Sequence, residues 1–183
     1  MKLLDTSLRQ SLLDVAWQSI YHGLECSAPL LPTPDDYPEA LRECHGSFVT
    51  LTKEDRLRGC IGTLEATRPL VEDTARNAFA AAFQDPRFSP LTQDELDLLQ
   101  VKISILSLHI AIEFVSEPDL LRQLRPGIDG LIIQQGELRA TFLPAVWDSL
   151  PDPADFLREL KRKAGITTDD EPLTAWRYTT EFF

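Results

Sequence analysis

The stretch Leu57-Arg58-Gly59-Cys60-Ile61-Gly62-Thr63 sets a thiol, a guanidinium and two glycines close together. The thiolate is the nucleophilic form of cysteine, and a cationic neighbour favours it. If the stretch is extended, period-two alternation puts Arg58 and Cys60 on one face and Leu57, Gly59 and Ile61 on the other. Glycine weakens a strand because it brings no side chain to pack. Two glycines around one cysteine therefore suggest that a ligand, or another part of the backbone, comes close. Arg58 and Cys60 are candidate catalytic groups, and Gly59 and Gly62 candidate binding positions. A small buried cysteine with Arg58 in a salt bridge would give the same pattern, since cysteine is among the most often buried residue types.

Histidine is the other common activator of a thiol. A hairpin with its loop at residues 53–56 pairs Thr52 with Leu57 and sets Cys60 opposite Val49. His45 then lies about 13 Å further along, at ~3.3 Å per strand residue, outside hydrogen-bond reach. No Cys-His dyad is expected. Downstream, Asn77 interrupts an alanine-rich helix, and Asp85-Pro86-Arg87-Phe88 follows that helix. Asp85 and Arg87 either close this loop on each other or present polar groups to a pocket, so Asn77, Asp85 and Arg87 join the candidate binding residues. Cys26, Cys44 and Cys60 form no C-x-x-C pair and no Cys/His cluster of zinc spacing, so neither a metal nor a disulfide framework is expected. No cofactor signature is present. Gly127-Ile128-Asp129-Gly130 lacks the strand-loop-helix context of a phosphate loop. The basic run Arg158 to Lys163 reads as a solvated helix end favoured by the helix dipole.

The elements that must carry these residues follow from periodicity. Leu8, Leu12, Val15, Ala16 and Ile20 recur at helical spacing, with Thr6 or Ser7 as N-cap and an end near Gly23. Residues 28–38 hold four prolines and read as a loop. Phe48 to Thr52 and Leu57 to Gly62 are strand-like. The alanine-rich helix runs from about Leu70 to Gln84, with Pro69 early. Thr92 and Glu95 form a capping box for a short helix, and Val101 to Leu108 is a strand. Ser116 caps a short helix, a second hairpin turns at Gln135-Gly136, and Ala145 to Leu150 is a short helix. Asp152, Pro153 and Gly165 bound the last long helix. Thr174 to Phe183 reads as one final strand. Hairpin pairing without strict βαβ alternation gives an α+β fold, mostly antiparallel sheet with flanking helices. Only about seven residues join the Leu57–Gly62 strand to the alanine-rich helix, so the two should be neighbours, with the functional surface where they meet.

The chain has 183 residues, 43% of them apolar and 26% charged, an ordinary globular balance. Its 29 acids and 18 bases give a net charge of −11, the wrong sign for a nucleic-acid or anionic-membrane partner. No apolar run approaches the ~20 residues of a membrane span. A charge at Lys2 and another at Asp5 interrupt any signal-peptide core, so a cytoplasmic location is expected.

These residues resemble a known family. Arg56-Leu57-Arg58-Gly59-Cys60-Ile61-Gly62-Thr63 is similar to the hallmark of the AMMECR-type domain, the AmmeMemoRadiSam system protein A family. Gly46 to Leu51 precedes it in the family's order. Asn77 to Ala82, Asp85 to Leu91, Ile103 to Ser107, Gly127 to Leu131, Thr141 to Trp147, Phe156-Leu157 and Lys163 to Gly165 follow. Ala145 stands where glutamine is common, and Glu65-Ala66-Thr67 is a loose version of the turn after the hallmark. The resemblance implies a single domain over residues 1–183 with a larger and a smaller lobe in one unit. It also implies Memo-like and radical SAM proteins as partners, but names no reaction. Two functions are expected in competition. One is an enzyme or enzyme component with a small-molecule pocket around Arg58 and Cys60; the other is a non-catalytic protein-interaction module.

Overall fold

A computed structural model describes residues 4–168 and 171–183. Residues 1–3, part of the stretch read for a signal peptide, and residues 169–170 lie outside the described residues.

The fold is α+β, with two four-stranded antiparallel sheets in two units. The first unit, Met1–Leu106 with Glu181–Phe183, opens on helix α1 (Thr6–Cys26). Its N-cap is Asp5 rather than Thr6 or Ser7, with the Asp5 carboxylate accepting the Leu8 N–H. α1 also runs past Gly23 to a left-handed Ser27. Gly23 lies inside the helix, where the Phe79 and Phe83 rings leave no room for a side chain: a Cβ there would stand 2.3 Å from the Phe83 ring. After the proline-rich loop and the short α2 (Glu39–Arg42), strands β1 (Ser47–Lys53) and β2 (Arg56–Thr63) form a hairpin. α3 (Leu70–Phe83) follows, then a 3₁₀ turn at Gln93–Leu98, then β3 (Leu99–Leu106).

The capping box on that turn is present, Glu95 accepting from Thr92 N–H and Oγ1–H. The sheet order is β2-β1-β3-β8. Val49, Leu51, Ile103 and Ile105 lie in one buried cluster with Leu12, Val15 and Ile20 of α1 and Ala75 and Ala78 of α3. Alternation along β1 leaves Phe48 and Thr50 half-buried on the opposite face.

The second unit, Ser107–Thr180, contains β4 (Ile110–Ile112), α4 (Glu117–Gln123), β5 (Gly130–Gln135), β6 (Leu138–Phe142), α5 (Pro153–Ala164) and β7 (Thr174–Tyr178). The sheet order is β4-β7-β5-β6. Asp152 caps α5, Pro153 is its first residue, and Gly165 ends it at φ 78°. Trp147 stacks on Phe156 at 3.7 Å in a core with Leu131, Ile133 and Leu160. Asp129 is buried, held by the Arg125 guanidinium at 2.6 Å, while its carbonyl accepts from Trp147 Nε1. The glycine-flanked Ile128-Asp129 turn is thus a packing feature.

The expected last strand is two strands. β7 belongs to the second sheet, whereas β8 (Thr180–Phe182) belongs to the first. Phe183 exchanges both backbone hydrogen bonds with Ile103 of β3. No helix among the described residues is long and apolar enough to cross a membrane.

Candidate functional site

The β1–β2 hairpin turns on two residues, Glu54 and Asp55, both at positive φ (50° and 60°). That is the primed geometry that suits the twist of paired strands. The expected four-residue loop is therefore shorter, although Thr52 does face Leu57. Beyond that pair the register shifts: Leu51 faces Gly59, and Cys60 faces Thr50 rather than Val49. Arg58 is the extra residue of a β-bulge, which is why the expected cross-strand pairing is off by one beyond it, although Gly59 and Ile61 still share the core face and Cys60 the other.

The bulge hands Arg58 to Glu95. Arg58 Nε and Nη2 donate to the two carboxylate oxygens at 2.9 and 2.8 Å, and Nη2 also donates to the Ser89 carbonyl. Lys53 Nζ joins the same carboxylate at 3.1 Å. These bonds, the Arg58 pair first, hold Glu95 well below the usual carboxylate range, and the same pairing raises Arg58. Arg58 Nη1 is buried without a hydrogen-bond partner. Arg58 is thus spoken for by a carboxylate and does not serve the thiol.

Cys60 is gripped instead by Asp85 and Arg87. β2 is an edge strand, so the outward N–H and C=O of Cys60 have no strand to pair with. Asp85 Oδ2 accepts the Cys60 N–H at 2.9 Å, and Arg87 Nη2 donates to the Cys60 carbonyl at 3.2 Å. Arg87 Nε and Nη2 bind the two oxygens of Asp85 at 2.9 and 2.6 Å. The Asp85 side chain is 2% exposed and that of Arg87 53%. The Arg87 bonds hold Asp85 well below its ordinary range. Both guanidinium groups also lie over the Phe88 ring, at 5.9 Å for Arg58 and 5.5 Å for Arg87. Asp85 and Arg87 do close their loop on each other, and in doing so they cap the sheet edge.

The glycines have separate tasks. A Cβ at Gly59 would stand 2.1 Å from the Ala81 carbonyl oxygen, so β2 lies directly on α3 there. A Cβ at Gly62 would meet the Phe48 ring at 2.2 Å. Asn77 does not join Cys60. Its amide donates to the Ser47 carbonyl and to Asp73, and its oxygen accepts from Thr63, at 2.9–3.2 Å. Asp73 is fully buried, accepts from Ser47 N–H and Oγ–H, and is raised by that burial. Asn77 and Asp73 therefore tie α3 to the hairpin from inside.

Around the thiol, Cys60 Sγ lies 3.3 Å from Thr50 Oγ1. His45 uses its ring nitrogens on the Leu106 carbonyl and on Glu43. All three cysteines are free, and among the described residues no group of three or more His, Cys, Asp or Glu could hold a metal ion. Sequence reasoning had Glu95 only as a cap, and missed Asp73 and Thr50 altogether. An arginine without a partner in its own strand was the available signal for Glu95.

The chain is thus an α+β protein of two sheets, with a glycine-flanked cysteine clamped at one sheet edge by an Asp-x-Arg loop. It belongs to the AMMECR1 family, whose model matches residues 13–183. A Methanothermobacter thermautotrophicus protein is 36% identical over 182 residues, 95% of this chain and 92% of that one. A Thermofilum pendens protein is 37% identical over 178 residues, covering 91% and 81%. The crystal structure of an uncharacterised Pyrococcus horikoshii protein superposes with a TM-score of 0.88 at 34% identity, covering 99% of this chain and 93% of that one.

Proposed function

We propose that the chain, one AMMECR-type domain of two lobes, is a cytoplasmic component of an enzyme system. Its working surface is the sheet edge at Cys60, bounded by Arg58, Gly59, Gly62, Asp85 and Arg87, with Asn77 supporting it from beneath. The resemblance in sequence supplies the partners, Memo-like and radical SAM proteins. The observation that carries the site is the clamp itself: Asp85 and Arg87 hold the Cys60 backbone from both sides. A half-exposed guanidinium is thereby fixed beside a half-buried thiol. This pairing suits a small molecule with an anionic or carbonyl group, which Arg87 would orient against Cys60. Asp85 and Glu95 are held ionised, so neither is a general acid near neutral pH. Whatever chemistry occurs there falls to the thiol.

The same clamp favours a second reading, a non-catalytic interaction module, because every carboxylate around Cys60 already has an internal arginine. Cys60→Ser and Arg87→Ala, added back to a system reconstituted with the Memo-like and radical SAM proteins, separate the two. Loss of turnover with partner binding retained supports the enzyme component. Turnover unaffected by Cys60→Ser, with partner co-elution lost in Arg87→Ala, supports the module and ends the role of the thiol.

A further inference from the structure

The second unit holds a depression of about 530 Å³ between α5 and β6, lined by Phe142, Leu150, Arg158, Glu159, Arg162 and Lys163. That volume is within the range of small-ligand sites. Three cations face one carboxylate there, in a chain whose net charge is −11. Arg162 binds Glu159 at 2.7 Å, and Arg158 binds Asp155 at 2.5 Å; both side chains stay largely exposed.

Lys163 is different. Its Nζ donates to the Thr141 carbonyl at 3.0 Å and lies 5.2 Å from the centre of the Phe142 ring. Among the described residues no carboxylate reaches it. An ammonium has three protons to place; one carbonyl and a ring face take up part of it, and the rest of this exposed side chain faces the depression. An anion entering the depression would supply the missing charge, and Phe142 and Leu150 offer an apolar bed beside it.

We infer that this depression binds a small oxyanion, a carboxylate or phosphate, carried on a flat apolar body, with Lys163 and Arg162 holding the anion and Phe142 the body. The site lies within the second unit and does not depend on the role of Cys60. Titration calorimetry of the whole chain with benzoate and with phenyl phosphate tests it, alongside inorganic phosphate and benzyl alcohol. NMR of the Lys163 side chain supplies a second readout.

Saturable one-to-one binding of benzoate or phenyl phosphate is expected, with a shift of the Lys163 resonances. Lys163→Met should weaken that binding about tenfold or more, as loss of a charged hydrogen bond does, whereas Lys163→Arg should retain most of it. Arg162→Gln, at a mostly exposed position, provides the same comparison if Lys163→Met does not fold. Absence of saturation with both probes, or affinity in Lys163→Met and Arg162→Gln equal to that of the parent, would overturn the inference. So would benzyl alcohol or inorganic phosphate binding as tightly as the two probes.

Discussion

Asp85 serves two neighbours at once, and its removal leaves both short. With Asp85→Ala, the Cys60 N–H loses its acceptor at a sheet edge and Arg87 loses its carboxylate. Hydrogen bonds to charged groups contribute ~1.5–3 kcal/mol each, and an orphaned buried donor costs a similar amount. Asp85→Ala should therefore destabilise the protein by about 2–4 kcal/mol, read from urea unfolding. Arg87→Met leaves the nearly buried Asp85 carboxylate without its cation and should also destabilise, by ~1–3 kcal/mol. An Arg87→Met variant as stable as the parent would mean that Asp85 holds its charge without Arg87.

At the scale of elements, the seating of β2 on α3 depends on the missing side chain at Gly59. Gly59→Ala would drive a methyl into the Ala81 carbonyl. Forcing atoms into a packed contact costs about 1–3 kcal/mol, and here the obstacle is helix backbone that cannot rotate aside. Thermal unfolding should show that loss. Gly165→Ala tests a different cause, since the left-handed end of α5 penalises any Cβ by ~1–2 kcal/mol even with open space around it. A Gly59→Ala variant as stable as the parent would mean that β2 and α3 can separate without loss.

For the whole molecule the charge balance sets two expectations. Asp85 and Glu95 titrate below their ordinary range when folded. Each contributes stability that is present above the unfolded carboxylate pKa and lost as pH falls through the lower folded value. Asp73 has the opposite sign: burial raises it, so its penalty is relieved as pH falls through the raised value. Stability should therefore fall steeply only below about pH 4. Glu95→Gln should flatten that acid limb in urea titrations at successive pH values; an unchanged limb would show that Glu95 gains nothing from Arg58. The net charge also predicts no binding to duplex DNA at physiological salt. Fluorescence anisotropy showing micromolar affinity would contradict it.

Patterns that repeat locally were readable without coordinates. The helical spacing of Leu12, Val15 and Ile20, the Asp152-Pro153 start and Gly165 stop of α5, the Thr92–Glu95 box and the nearness of the hallmark strand to the alanine-rich helix all depend on neighbours in the chain. The family resemblance was readable for the same reason, because motif order is a one-dimensional property. What tertiary structure decided depends on partners far away in sequence. Nothing local marks the bulge at Arg58, which arises where Glu95 draws one guanidinium and α3 presses on one glycine. The split of Thr174 to Phe183 between two sheets requires β3 to be present as an acceptor for Phe183. Asn77 stands one helical turn from Asp73, a local spacing, but packing alone chose that this face of α3 meets Ser47 and Thr63 rather than Cys60.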